Sequence, residues 1–165
     1  MLELFNAYRI DVQHIASVML ALAIWRWGAA PERWLMALFM ATMVAPYYLF
    51  NLFGLGTPAF GPYNWFYIAI DLFAGAGFIA VALQANRNYP LWVAGFQLVA
   101  LGAHAVKGMT DAVSPLAYMI MAIGPAYCQL LVILGGFIRH LIRQRQFGRY
   151  RAWRVSPPAV GWLEP

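Results

Sequence analysis

Long apolar runs separated by short polar or turn-forming segments set the pattern of this chain. Five runs stand out, at 12–27, 34–53, 65–83, 91–106 and 116–138. A helix needs ~20 mostly apolar residues to cross about 30 Å of hydrocarbon. Each run therefore predicts a membrane-spanning helix, the first and fourth being completed by polar residues at their ends. The intervening segments, 28–32, 54–62, 86–90 and 107–115, are rich in Gly, Pro and Asn and suit chain reversal. Pro31 followed by Glu32 fits a helix start, where a missing N–H costs nothing and negative charge meets the positive end of the dipole. The expected fold is all-α: a five-helix transmembrane bundle over 1–138, then a basic, proline-containing tail over 139–165.

Composition supports that class. Hydrophobic residues make up 63% of the 165-residue chain and charged residues only 10%. Soluble domains carry about 45–50% and about 25%, and a soluble chain this short has too little interior to hide the excess. One cysteine, Cys128, excludes an internal disulfide and a cysteine metal site. Residues 1–10 include Glu3 and Arg9 and show no basic start, so a cleaved leader is not expected.

Charge adds direction. The net charge is +5, and six of the eleven Lys and Arg residues fall between Arg139 and Arg154, directly after the last run. Basic residues flanking apolar spans are retained on the cytoplasmic side. With the tail inside, alternation also places Arg26, Arg33 and Arg87 inside and leaves only Arg9 and Lys107 outside. The N-terminus is then periplasmic and the C-terminus cytoplasmic. Trp25, Trp27, Trp34 and Trp92 fall at the inner boundary and Trp65 at the outer one, where aromatic anchors belong.

Ionisable side chains at membrane depth face a bundle interior or a watery cavity. In an antiparallel hairpin turning near Arg87 and Asn88, residues whose numbers sum to about 175 share a depth. Asp71 and His104 do so, on the order of 10 Å below the outer surface at about 1.5 Å per residue. Pro46, Tyr118 and His14 come to nearly that level, and Gln97, His104, Lys107 and Asp111 share one face of the fourth helix. Asp71, His104, Tyr118 and His14 form the candidate intramembrane polar site, able to relay a proton or hold a ligand. The plainer alternative is a hydrogen-bonded pair that fixes the register of two helices.

Other features carry less. His14 and His104, on separate helices, offer a haem-ligation alternative; no cofactor is otherwise expected. Pro46 and Gly124-Pro125 are expected to interrupt the second and fifth spans. Gln129 is expected to bond a neighbouring helix, and Met36, Met40 and Met43 to serve as adaptable packing. There is no nucleotide loop, zinc-helix motif or nucleophile elbow, so no enzymatic activity is expected.

In the tail, Arg139, His140, Arg143, Arg145, Arg149, Arg151 and Arg154 alternate with Phe147, Tyr150 and Trp153. Basic and aromatic residues so interleaved, directly after a span, favour anionic lipid headgroups or a partner subunit over nucleic acid. Arg139, Arg143, Arg145, Arg149, Arg151, Arg154 and Trp153 are the candidate lipid- or partner-binding residues. The segment after Val155 is expected to be non-helical, either disordered or ordered only against a partner.

The stretches WRWGAAPERW and ANRNYPLWVAGFQL resemble small bacterial inner-membrane proteins of unassigned function. The resemblance implies a multi-pass bacterial inner-membrane address and nothing about chemistry. The expected role is a non-catalytic accessory or structural subunit of a larger inner-membrane complex, an energy-transducing one being an example, with other membrane subunits or its own copies as partners. The alternatives are a small oligomeric carrier or proton-coupled module using Asp71 and His104, and a haem- or quinone-binding redox protein.

Overall fold

The computed structural model describes residues 2–54, 64–110, 112–148 and 151–154, and shows five helices. These are α1 (Leu2–Trp27), α2 (Ala30–Leu52), α3 (Asn64–Gln84), α4 (Tyr89–Met109) and α5 (Pro115–Phe147). Four of them, α2 to α5, are long and apolar enough to cross a membrane, and the chain is a multi-pass membrane protein. In α1, Asp11, Gln13, His14 and Arg26 crowd in on the apolar stretch and dilute it.

α3, α4 and α5 pack in sequence, α2 lies against α3 and α5, and α1 closes the bundle on α2 and α5. The apolar core is concentrated at one end. Ile24, Leu35, Met36, Phe39, Phe78, Val93 and Ile133 are among its largest fully buried members. They come from the end of α1, the start of α2, the end of α3, the start of α4 and the later half of α5, so they gather near the α3–α4 turn. Met36 belongs to this core and Met40 and Met43 pack against it, which is ordinary use of a flexible thioether.

The two prolines act differently. In α2, residues Met40–Val44 form a π-turn, with the Ala45 N–H reaching back to the Met40 carbonyl. Pro46 has no N–H to give and its ring crowds the preceding turn. One extra residue per turn relieves both constraints without breaking the rod. In α5 the expected interruption at Gly124-Pro125 does not occur, and the helix runs through Pro125. A single proline removes one hydrogen bond and obstructs one carbonyl, and the intact turns on either side carry the helix past it.

α5 also outlasts its apolar run. Its 33 residues rise roughly 50 Å, more than a bilayer core needs, so residues 139–147 continue as helix beyond the expected end at 138. Gly148 stops it with φ of 73°, a backbone that glycine adopts without strain. The chain then returns to the bundle. Trp153 pairs with Ala85, the Asn86 N–H donates to the Ala152 carbonyl at 3.1 Å, and the Arg154 N–H donates to the Gln84 carbonyl at 2.8 Å.

α4 and α5 approach closely because Gly136 lacks a side chain: a Cβ there would lie 2.7 Å from the Tyr89 ring. Gly135 faces open space. Gly136→Ala is therefore expected to destabilise the purified protein by about 1–3 kcal/mol through overpacking, whereas Gly135→Ala is neutral or mildly stabilising. Thermal melting of both variants in one detergent checks this.

Candidate functional site

Away from the apolar core, α3, α4 and α5 are joined by a chain of polar side chains. Asp71 on α3 stands at its centre. The His104 Nε2 lies 2.8 Å from Asp71 Oδ2, and the Gln97 Nε2 donates to Asp71 Oδ1 at 2.9 Å and to the Asp71 carbonyl at 3.2 Å. The Tyr118 hydroxyl lies 2.8 Å from His104 Nδ1. On the other side, Gln129 Nε2 donates to Gln97 Oε1 at 2.9 Å and to the Val93 carbonyl at 3.2 Å. Gln97, Gln129 and Tyr118 are buried, and the chain runs roughly 16 Å along α4 from Val93 to His104.

With Asp71 as a carboxylate and His104 as a neutral imidazole, the carboxylate accepts from Gln97 and from His104 Nε2–H, and Nδ1 accepts a hydrogen bond from the Tyr118 hydroxyl. Every group from Tyr118 to Val93 thus has a complementary partner, except Gln129 Oε1, which has none among the described residues. Within this chain only Tyr118, His104 and Asp71 can exchange protons. The carboxamides of Gln97 and Gln129 donate and accept hydrogen bonds but hold fixed hydrogens.

The structure thus brings Asp71, His104 and Tyr118 together and leaves His14 apart. His14 is buried on α1 against Tyr47 and Tyr48, with ring centroids 4.8 and 5.4 Å away. Its Nδ1 has no hydrogen-bond partner among the described residues. Shared depth says nothing about azimuth, and α1 packs on α2 rather than on α4. Both ring nitrogens of His104 are engaged, so serving as a haem ligand would require breaking one of those bonds. Among the described residues no three His, Cys, Asp or Glu side chains converge as metal ligands. Asp111 lies outside the described residues.

At the opposite end sits a cluster that the sequence patterns did not reveal. Glu32, completely buried at the start of α2, forms an ion pair with Arg87 of the α3–α4 turn. Arg87 also donates to His140 Nδ1 of α5 at 3.3 Å, and the His140 ring bonds the Trp27 backbone at the end of α1. The helix-start role of Glu32 and the topogenic role of Arg87 each accounted for its residue locally, which masked their meeting. An acidic residue among inner-side arginines, in a chain with six acidic residues in all, was the available signal.

Of the tail residues, Arg139, Arg143, Arg145, Arg151 and Arg154 are exposed, and Trp153 is half-buried against the bundle. Arg149 and the segment after 154 lie outside the described residues. Comparison with known proteins found no matching family, no curated relative and no similar solved structure.

Two measurements follow. Glu32→Ala is expected to cost about 3–5 kcal/mol, because it breaks a buried ion pair by removing one partner; an unchanged unfolding midpoint would contradict the ion pair. A double-mutant cycle on Asp71→Ala and His104→Ala is expected to give a coupling of ~0.6–1.7 kcal/mol, the range of interhelical hydrogen bonds in membranes.

Proposed function

We propose that this protein is a non-catalytic accessory subunit of a larger bacterial inner-membrane assembly, with all five helices spanning, its N-terminus periplasmic and its C-terminus cytoplasmic. The observation that carries this reading is that the polar chain bonds from helix to helix. All five of its side chains bond a neighbouring helix, and two carboxamides separate the titratable trio from the far side of the membrane. Such a chain suits a clamp between helices better than a proton path across the membrane.

The surface supports the same conclusion. Large apolar side chains face outward along every helix, among them Val12, Met19, Leu49, Leu72, Leu98 and Leu131, as suits lipid or the helices of other subunits. The five tryptophans at the expected boundaries, Trp25, Trp27, Trp34, Trp65 and Trp92, are all exposed. Nine basic residues on the inner side favour the stated orientation, and α1 completes the odd number of crossings that this orientation requires.

One observation favours a second reading, a proton-coupled module: Tyr118, His104 and Asp71 form a continuous titratable series. The two readings part on Asp71→Asn. The clamp reading expects no proton flux through the wild-type protein in liposomes and a lowered melting temperature in the variant. A wild-type flux abolished in an equally stable variant would establish the alternative.

Native purification in a mild detergent is expected to yield a particle in which the 18.5 kDa chain is stoichiometric with at least one other subunit; a stable monomer would overturn the subunit reading. A fluorescent-protein fusion at the C-terminus is expected to be bright, and an alkaline phosphatase fusion at the N-terminus active, as markers of the cytoplasm and periplasm.

A further inference from the structure

A groove of about 200 Å³ lies between α1 and α2. Ala21, Ile24 and Trp25 line it from α1, and Arg33, Met36, Ala37 and Met40 from α2. We propose that this groove seats an acyl chain of an anionic phospholipid whose phosphate is held by Arg33.

The order of residues along the groove is the first support. The ring of His14 against that of Tyr47 shows α1 and α2 to be antiparallel, so near their turn residues whose numbers sum to about 58 share a level. Trp25 and Arg33 stand at one such level, Ala21 and Ala37 one turn deeper, and Met40 deeper still. From Arg33 to Met40 the groove descends roughly 10 Å. α2 is long and apolar enough to span from Ala30, and Arg33 lies in its first turn. The cation is therefore at headgroup depth beside an exposed tryptophan, where such side chains belong, and everything below it is apolar. A phospholipid has the same order, phosphate first and hydrocarbon after.

Shape is the second support. Two alanines leave a gap at the level where larger side chains would close it, and the buried side chains of Ile24 and Met36 form its floor. Ala37 and Trp25 are exposed, so the groove opens sideways, toward lipid. A water molecule takes roughly 30 Å³ of liquid, and the groove has room for a run of methylene groups.

Charge selects the headgroup. Arg33 is exposed, is the one charged residue of the lining, and has no carboxylate partner among the described residues. Its neighbour Glu32 is buried and paired with Arg87. Arg26, at nearly the same level, holds its guanidinium 5.5 Å from the centroid of the Trp27 ring. A guanidinium matches phosphate oxygens in geometry as well as charge. A zwitterionic headgroup would add an ammonium to a boundary already carrying Arg26 and Arg33, whereas an anionic one adds none.

The test uses the full chain in a neutral detergent. Native mass spectrometry reads the share of chains that keep one lipid during titration with phosphatidylglycerol, or with phosphatidylcholine of the same acyl chains. Accompanying subunits would change the mass and leave that readout intact. Half-saturation is expected at a lower concentration of phosphatidylglycerol. R33Q should weaken it by roughly tenfold, to the level of phosphatidylcholine, and R33K should be intermediate. R26Q, the same change of charge at nearly the same level, should leave it unchanged. A37L fills the groove from an exposed helical position, so it should reduce retention of both lipids while the melting temperature is preserved. Equal half-saturation by phosphatidylglycerol for wild type and R33Q, or for wild type and A37L, would overturn the proposal. So would a wild-type dimer that keeps no lipid and is dispersed by A37L, which would assign the groove to a second copy of the chain.

Discussion

A carboxylate with no solvent must have a cation, and at Glu32 that requirement organises the bundle. Burying a lone charge is costly enough that the protein has to bring Arg87 to it. Arg87 sits in the turn that joins α3 to α4, His140 accepts from it on α5, and the same imidazole reaches the backbone at the end of α1. Five helices are thereby fixed at one point. The apolar core lies beside that point because the lock and the core need the same close approach of helix ends.

The far end of the bundle is held by different means. There Asp71, His104, Tyr118, Gln97 and Gln129 bridge α3, α4 and α5 with hydrogen bonds. In hydrocarbon, apolar side chains gain little by meeting each other rather than lipid, so polar contacts and close packing supply the specificity. The ionic lock and the polar chain divide the work by position: the first sets which helix ends meet, the second sets the depth at which α3, α4 and α5 pair.

Much of this was legible in the residues. Apolar run length predicted five spanning helices; five helices are present, four of them long and apolar enough to cross a membrane, and their ends lie within a few residues of those expected except at the start of α1 and the end of α5. The antiparallel sum around Arg87 predicted the Asp71–His104 contact because a tight turn leaves little freedom of register. Gln129 bonding a neighbouring helix was expected because a polar side chain within a span needs a partner. What stayed hidden required azimuth or convergence. His14 has the anticipated depth but turns to Tyr47 and Tyr48, since nothing local says which neighbour α1 chooses. The Glu32–Arg87–His140 cluster joins three distant segments, and each residue had a sufficient local explanation. Pro125 looked like an interruption because proline is counted as a breaker, whereas a helix secured on both sides needs to give up only one bond. The helix beyond 138 was missed because polarity marks where a membrane ends, and a helix has no reason to end there.

The return of the chain after Gly148 has a mechanical consequence. Residues 151–154 run back to the α3–α4 turn and are hydrogen-bonded there, so whatever follows leaves from the flank of the bundle instead of the tip of α5. Tension that reaches Arg154 is borne first by the short Gln84–Arg154 and Asn86–Ala152 pairing. The helix feels it only after that strap has come loose, which makes the strap a fuse between the membrane domain and anything that pulls on it.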